Sequence, residues 1–211
     1  WQHSEIGDIP PSKFIPIAEE SGLIVPITTW ILQETTTQLA QWQKISPVHK
    51  DLIVSVNISG KHLGKDELID DVENALAVSK ISRSSLKLEV TESAAMENAE
   101  HTISILNRLK NLGVQISIDD FGTGYSSLSY LRSFPFDRIK IDRSFIEHVS
   151  EEASSLAIIR AVASLGESLG MAITAEGVET SEQLDRVCAE GCSEIQGFLF
   201  SPPRPASDIP A

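Results

Sequence analysis

The sequence predicts an α/β fold in which parallel strands, each followed by a helix, close toward a (β/α) barrel. Two observations predict it. Strand-like and helix-like stretches alternate with short links from Asp51 to the C-terminal region, the pattern of a parallel sheet with helices outside. Each predicted strand also has one apolar and one polar parity, where a sheet covered on both faces would be apolar throughout. A barrel with a polar, reactive interior accounts for that polarity. Six such strands are counted, against the eight a closed barrel needs.

The elements follow in order. Residues 1–11 read as irregular, broken by Gly7, Pro10 and Pro11. Ser12 is placed as the cap of a short helix over Lys13–Ser21, stopped by Gly22. A second helix, Pro26–Lys44, sets Ile31, Thr35, Leu39 and Trp42 on one face. The strand Asp51–Ser59 precedes a helix over Asp66–Lys80 carrying Ile69, Val72 and Leu76 inward. Strand Leu86–Thr91 precedes a helix over Ala95–Leu112 built on Ile103, Leu106 and Leu109. Strand Val114–Asp119 precedes a short helix, Ser126–Arg132, with Ser126 and Ser127 as capping serines. Strand Arg138–Asp142 precedes a helix over Ala153–Gly170 that uses Leu156, Ile159, Ala163 and Leu169. Strand Ala172–Glu176 precedes the helix Ser181–Glu190. Ser193–Phe198 is the last strand, and the Pro-rich tail from Ser201 reads as irregular.

Composition narrows the function. The 211 residues suit one domain with one sizeable core. Asp and Glu number 30 against 17 Lys and Arg, a net charge of −13, which argues against duplex nucleic acid as a partner. No apolar run approaches the roughly 20 residues of a membrane span. Cys188 and Cys192 sit in a helical stretch without metal-site company and read as reduced thiols, as in a cytoplasmic protein.

At the C-terminal ends of successive strands the polar parity supplies Asn57, Glu89, Asp119, Lys140 and Glu176, separated by 32, 30, 21 and 36 residues. Barrel enzymes assemble their sites at this rim. Asn57, Glu89 and Asp119 offer hard oxygen ligands suited to Mg²⁺ or Mn²⁺. Asp120, beside Asp119, would bridge to a second ion, and two ions about 4 Å apart clamp an in-line phosphoryl displacement. Lys140 would position the attacking water, and Glu176 would act as base or ligand. Without further information an enolase-type proton-transfer barrel remains the rival, although the adjacent aspartates and their glycine loop fit it less well.

Several stretches together resemble the EAL domain family, bacterial phosphodiesterases specific for cyclic di-GMP. They are Ser55-Val56-Asn57-Ile58-Ser59, Leu88-Glu89-Val90-Thr91-Glu92-Ser93, Asp119-Asp120-Phe121-Gly122-Thr123-Gly124-Tyr125-Ser126-Ser127, Ile139-Lys140-Ile141-Asp142, Ala175-Glu176-Gly177-Val178-Glu179-Thr180 and Gln196-Gly197-Phe198-Leu199-Phe200-Ser201. Trp1-Gln2-His3 and Phe14-Ile15-Pro16-Ile17-Ala18-Glu19 match as well.

The resemblance implies a TIM-like barrel that hydrolyses cyclic di-GMP to linear pGpG with Mg²⁺ or Mn²⁺, in two sites, and is inhibited by Ca²⁺. It implies metal-ligating roles for Asn57, Glu89, Asp119 and Asp120. Lys140 would hold the nucleophilic water, Glu176 would be the base, and Gln196 would line the site. Glu92 would anchor the glycine loop after Asp120, a loop that also serves dimerisation. Glu179 would support the metal residues or join them. A homodimer is expected, in a cytoplasmic domain whose parent is free to carry sensor or GGDEF-type modules and a membrane tether.

The Glu-Ala-Leu signature is expected just before Trp1, so residues 1–211 read as an EAL-type domain lacking its first two strands, impaired by the loss of the signature Glu. The alternative is a catalytically inactive cyclic di-GMP receptor. Every motif residue present in the chain is intact, which argues against degeneracy.

Overall fold

The computed structural model describes residues 1–124, 128–149 and 153–209. The chain opens on a small antiparallel hairpin, β1 (Gln2–His3) with β2 (Gly7–Asp8), where an irregular segment was expected. Strands of two residues carry no periodic signal, and Gly7, read as a breaker, supplies the positive φ of the turn back.

Helix α1 (Pro11–Ser21) begins behind Pro10 with no side-chain cap, so Ser12 lies inside the first turn and is not its cap. A proline in the first turn needs no amide partner. Helix α2 (Ile24–Ile45) follows, with Pro26 also in its first turn. Its buried stripe is Ile24, Thr28, Leu32, Thr36 and Leu39; of the expected face, Leu39 is buried while Ile31, Thr35 and Trp42 are half-buried. The two threonines become tolerable inside because each hydroxyl donates to the carbonyl four residues back, at 2.8 Å.

A 3-10 turn over Pro47–Asp51 shortens the next strand to β3 (Val54–Ile58). Then come α3 (Gly60–Leu63), α4 (Glu67–Ser79), β4 (Leu86–Thr91), α5 (Glu92–Glu97), α6 (Ala99–Leu112) and β5 (Gln115–Phe121). The expected single helix Ala95–Leu112 is therefore two, broken at Asn98, whose φ of −140° and ψ of 72° are not helical. The chain continues through α7 (Leu128–Leu131), β6 (Arg138–Ile141), α8 (Arg143–Glu147), α9 (Ala153–Leu169), β7 (Ala172–Glu176), α10 (Ser181–Ala189) and β8 (Glu194–Gln196). The capping serines Ser126 and Ser127 lie outside the described residues. The tail holds one 3-10 turn, Ala206–Asp208.

Strands β3 to β8 form one six-stranded sheet in sequence order, parallel throughout. One parity of each strand faces the helices: Val56, Ile58, Leu88, Val90, Ile116, Ile118, Ile139, Ile141, Ile173 and Ala175 join a single core with Leu68, Val72, Leu106, Leu109 and Ile159. The other parity carries Glu89, Ser117, Asp119, Arg138, Lys140 and Thr174, all buried. The fold thus places a polar, desolvated surface on the inner side of a curled sheet, with the apolar strand parity packed against the helices on the outer side.

Candidate metal and catalytic site

The polar face has two levels. Toward the N-terminal ends of the strands, Arg138 pairs with Glu194 and donates to Gln115 Oε1 at 3.2 Å, while Thr174 donates to Glu194 Oε2 at 3.2 Å. Lys87 reaches the same carboxylate at 3.9 Å. Toward the C-terminal ends lies an acidic level. Register sets Asn57 opposite Glu89, Thr91 opposite Asp119, and Glu176 opposite Gln196.

Lys140 is the hub of the acidic level. Its Nζ lies 2.7 Å from Glu89 Oε2, 3.0 Å from Asp119 Oδ1 and 2.6 Å from Glu176 Oε1. Burial alone would lower its pKa, but Glu89, Asp119 and Glu176 outweigh burial and hold it above the usual ammonium value. The ammonium therefore stays charged throughout the physiological range.

Asp119 and Asp120 reach the same side of β5 because the strand bulges there. Ile118 pairs with Ile139 and Phe121 with Ile141, so three steps along β5 match two along β6. Ile118 and Phe121 both pack into the core. An unbroken strand would put residues three apart on opposite faces; the extra residue cancels that flip and leaves both aspartates to the polar side. Asp120 takes up the distortion with φ of +53°, a conformation that Asp tolerates better than most residues. The alternation ends this strand at Asp119; the structure keeps Asp120 within β5, at the bulge, which strict alternation could not reveal. Its amide donates to Asp119 Oδ1 at 3.0 Å.

Carboxylate oxygens of Asp119, Asp120 and Glu176 lie within 4.8 Å of one another. The Asp120 carboxyl is pushed above its ordinary pKa by burial, then by Asp119 and Asp142. Glu176 is pushed up by burial and Asp119, against the opposing pull of Lys140. Four carboxylates, with Glu89, face one lysine. Such a set is short of positive charge, and its hard oxygen donors fit a divalent cation of the Mg²⁺ or Mn²⁺ class.

The remaining expected residues frame this centre. Asn57 is exposed on the edge strand β3, next to Glu89. Glu92, only 1% exposed, accepts from the Gly122 amide at 2.8 Å. Gly124 passes so close that an added Cβ would lie 2.9 Å from Glu92 Oε1. The Asp120–Gly124 turn is thereby tied to the start of α5. Glu179 and Gln196 line an open cleft of about 680 Å³ together with Asp120 and Glu176.

Sequence reasoning gave no role to four participants. Asp142, on the polar parity of its strand, raises Asp120's pKa and caps α8 by accepting from the Ser144 amide at 3.0 Å. Arg143 sits at the cleft, with its stem against the backbone of Gly177, where a Cβ would come within 2.6 Å of Arg143 Cβ. Phe198 and Phe200 line the same cleft. The alternation that gave Lys140 also gave Asp142; the other side chains come from loops and a short helix, where no periodicity marks them.

The profile described as EAL domain matches residues 1–203. The chain is 44% identical over 209 residues to the bifunctional diguanylate cyclase/cyclic di-GMP phosphodiesterase MucR of Pseudomonas aeruginosa, covering 99% of this chain and 30% of MucR. It is 41% identical over 209 residues to the cyclic di-GMP phosphodiesterase NbdA of the same organism, covering 99% of this chain and 26% of NbdA. The chain thus spans less than a third of either relative. A solved structure of the PaMucR phosphodiesterase in complex with c-di-GMP superimposes with a TM-score of 0.95 at 43% identity, covering all of this chain and 84% of that one. The six parallel strands correspond to a curled, incomplete TIM-like barrel in that comparison.

Proposed function

This chain belongs to the EAL domain family, and from that premise we propose that the protein carrying it hydrolyses cyclic di-GMP to linear pGpG in bacterial second-messenger signalling. The observation that carries the reading is the Lys140 hub, which holds Glu89, Asp119 and Glu176 beside the bulged Asp120.

In this reading Asn57, Glu89, Asp119 and Asp120 hold Mg²⁺ or Mn²⁺, in one or two sites. The metal would supply Lewis acidity at the scissile phosphate and lower the pKa of bound water. Lys140 orients the attacking water through its permanently charged ammonium. Glu176, with its raised pKa, accepts a proton from that water. Gln196 and Glu179 contact the dinucleotide from the cleft wall. Glu92 fixes the Asp120–Gly124 turn, whose exposed Gly122, Thr123 and Gly124 form part of a homodimer contact. The domain works in the cytoplasm; among the described residues no helix is long and apolar enough to cross a membrane.

The second reading is a cyclic di-GMP receptor without turnover. It is favoured by the closed ion-pair cluster, in which one ammonium already occupies oxygens of three of the carboxylates. Turnover of cyclic di-GMP by the intact protein in Mg²⁺ and in Mn²⁺, with pGpG quantified, decides between them. The expected result is pGpG formation that chelation abolishes and that Glu176→Gln lowers by about 10²- to 10⁴-fold. Tight binding with no pGpG in either metal would establish the receptor instead.

A further inference from the structure

The lower level of the polar face has a charge pattern that the metal centre does not explain. Lys87, Arg138 and Glu194 stand two residues before Glu89, Lys140 and Gln196 on the same strands and the same parity, about 7 Å of strand rise away. Among the described residues this level holds two cations and one carboxylate. Glu194 on β8 takes Arg138 from β6, Thr174 from β7 at 3.2 Å and Lys87 from β4 at 3.9 Å. Lys87 thus crosses the curl of the sheet to a strand four places along, and the level forms a floor beneath the acidic rim. The Lys87 and Arg138 side chains are only 13% and 10% exposed, so salt screens them weakly. Burial, then Arg138, pull Lys87 below its ordinary pKa, the mark of a cation set where positive charge is already in surplus.

We propose that Lys87, Arg138 and Glu194 are positioning residues for the metal centre: their one surplus positive charge weakens the rim's hold on a divalent ion and so sets the ion concentration at which the site fills. This rests on the cyclic di-GMP reading above, and extends it from the residues that hold the ion to those that set its affinity.

The argument is one of charge and its sign. The rim sets four carboxylates against the single ammonium of Lys140 and draws cations strongly. A buried charge one level below acts on a divalent ion twice as strongly as on a monovalent one. The two cations of the floor repel that ion and the carboxylate of Glu194 attracts it. Packing alone cannot give this pattern. Neutralising Lys87 and neutralising Glu194 both remove the same ion pair, so a purely structural floor would answer either loss in the same direction. An electrostatic floor answers them in opposite directions.

Calorimetric titration of the intact protein with Mn²⁺ alone, at about pH 6.5 where Lys87 is protonated, reads the affinity without turnover. Lys87→Met keeps the stem and removes the charge, and should tighten Mn²⁺ binding about 3- to 30-fold. Lys87→Gln, a second neutral replacement, should act in the same direction. Glu194→Gln keeps an acceptor for Arg138 and Thr174 but loses the negative charge. It should weaken Mn²⁺ binding about 3- to 10-fold, the smaller effect because its side chain is 39% exposed. Lys87→Arg keeps the charge and should stay within about 2-fold of the parent. Weaker binding in the Lys87 and Glu194 neutral variants alike would mean that the floor acts by packing, and no change in either that the two levels do not communicate; both results overturn the inference. A parent that binds no Mn²⁺ would instead overturn the metal-dependent reading, and this inference with it.

Discussion

Lys140 compensates two buried carboxylates and a half-buried one with a single ammonium, so its loss should act on stability as well as chemistry. Lys140→Met leaves Glu89, Asp119 and Glu176 facing one another, and breaking a buried pair of this kind costs about 3–5 kcal/mol. Thermal unfolding in chelator should show that loss. Added Mn²⁺ should restore more stability in Lys140→Met than in the parent, because the ion replaces the missing charge; an equal gain in both would mean that the carboxylates do not hold it.

Asp120 separates conformation from charge. At φ of +53° an Asn is at least as tolerant as Asp, while a β-branched residue is strained. Asp120→Asn should leave the metal-free melting temperature at or slightly above that of the parent and weaken metal binding at least about tenfold, roughly the 1.4 kcal/mol of one lost charged ligand. Asp120→Val should in addition cost about 1–2 kcal/mol of stability.

The sign of the pH effect follows from Asp120 and Glu176. Asp120 and Glu176 have raised folded pKa values, so in metal-free protein their strain is full above those values. The strain disappears as the pH falls below the unfolded carboxylate values. Relative to Asp120→Asn, the chelated parent should gain stability on mild acidification, measured as denaturant midpoints across pH 4–7; a parallel course for the two proteins would refute it.

At the scale of elements, the tight crossings are the vulnerable points. The 177–179 segment runs beside the end of β8, with the Val178 amide donating to Gln196 O and the Leu199 amide to Val178 O. A Cβ at Gly197 would collide with the backbone of Val178, which cannot turn aside as a side chain can. Gly197→Ala should therefore cost about 3 kcal/mol or more, a drop of several degrees in melting temperature, and displace both Glu176 and Glu179. Gly64→Ala, with only ordinary contact at 3.6 Å, is the control that should not.

The elements also show what a chain of residues reveals. The six parallel strands were legible because alternation separates Val56 and Ile58 from Asn57, and Ile139 and Ile141 from Lys140. The bulge was not, because a period of two has no symbol for an inserted residue. The break at Asn98 was hidden in a continuous helical pattern, and α2's true stripe was hidden by threonines whose hydroxyls are satisfied within the helix. Parity brought Lys140 and Glu89 to one face; the three distances around Lys140 Nζ required the register of four strands.

At the scale of the molecule, the apolar parity of the strands packs into the core with the helices, and the chemistry lies on the other parity. The two cysteines test how tightly the outer layer is packed. Cys188 is exposed, while Cys192 is buried and its thiol is pushed up to about 12 by burial, with Cys188 and Glu190 adding to it. A thiolate reagent such as a dithiobenzoate should titrate one thiol in folded protein and two in denaturant. Two fast thiols in the folded state would mean that the end of α10 opens readily.

The bulge in β5 also has a meaning in coding terms. Strands normally supply one inward group for every two residues, so a second carboxylate at one rim position would require another strand. Here one additional codon supplies it, and the core-facing residues on either side keep their places. A strand with Asp120 deleted would regain strict alternation, with Phe121 still outward and the barrel wall uninterrupted. The step between a rim with one aspartate and a rim with two is thus a single in-frame triplet, a short distance for an ancestral scaffold to travel in either direction.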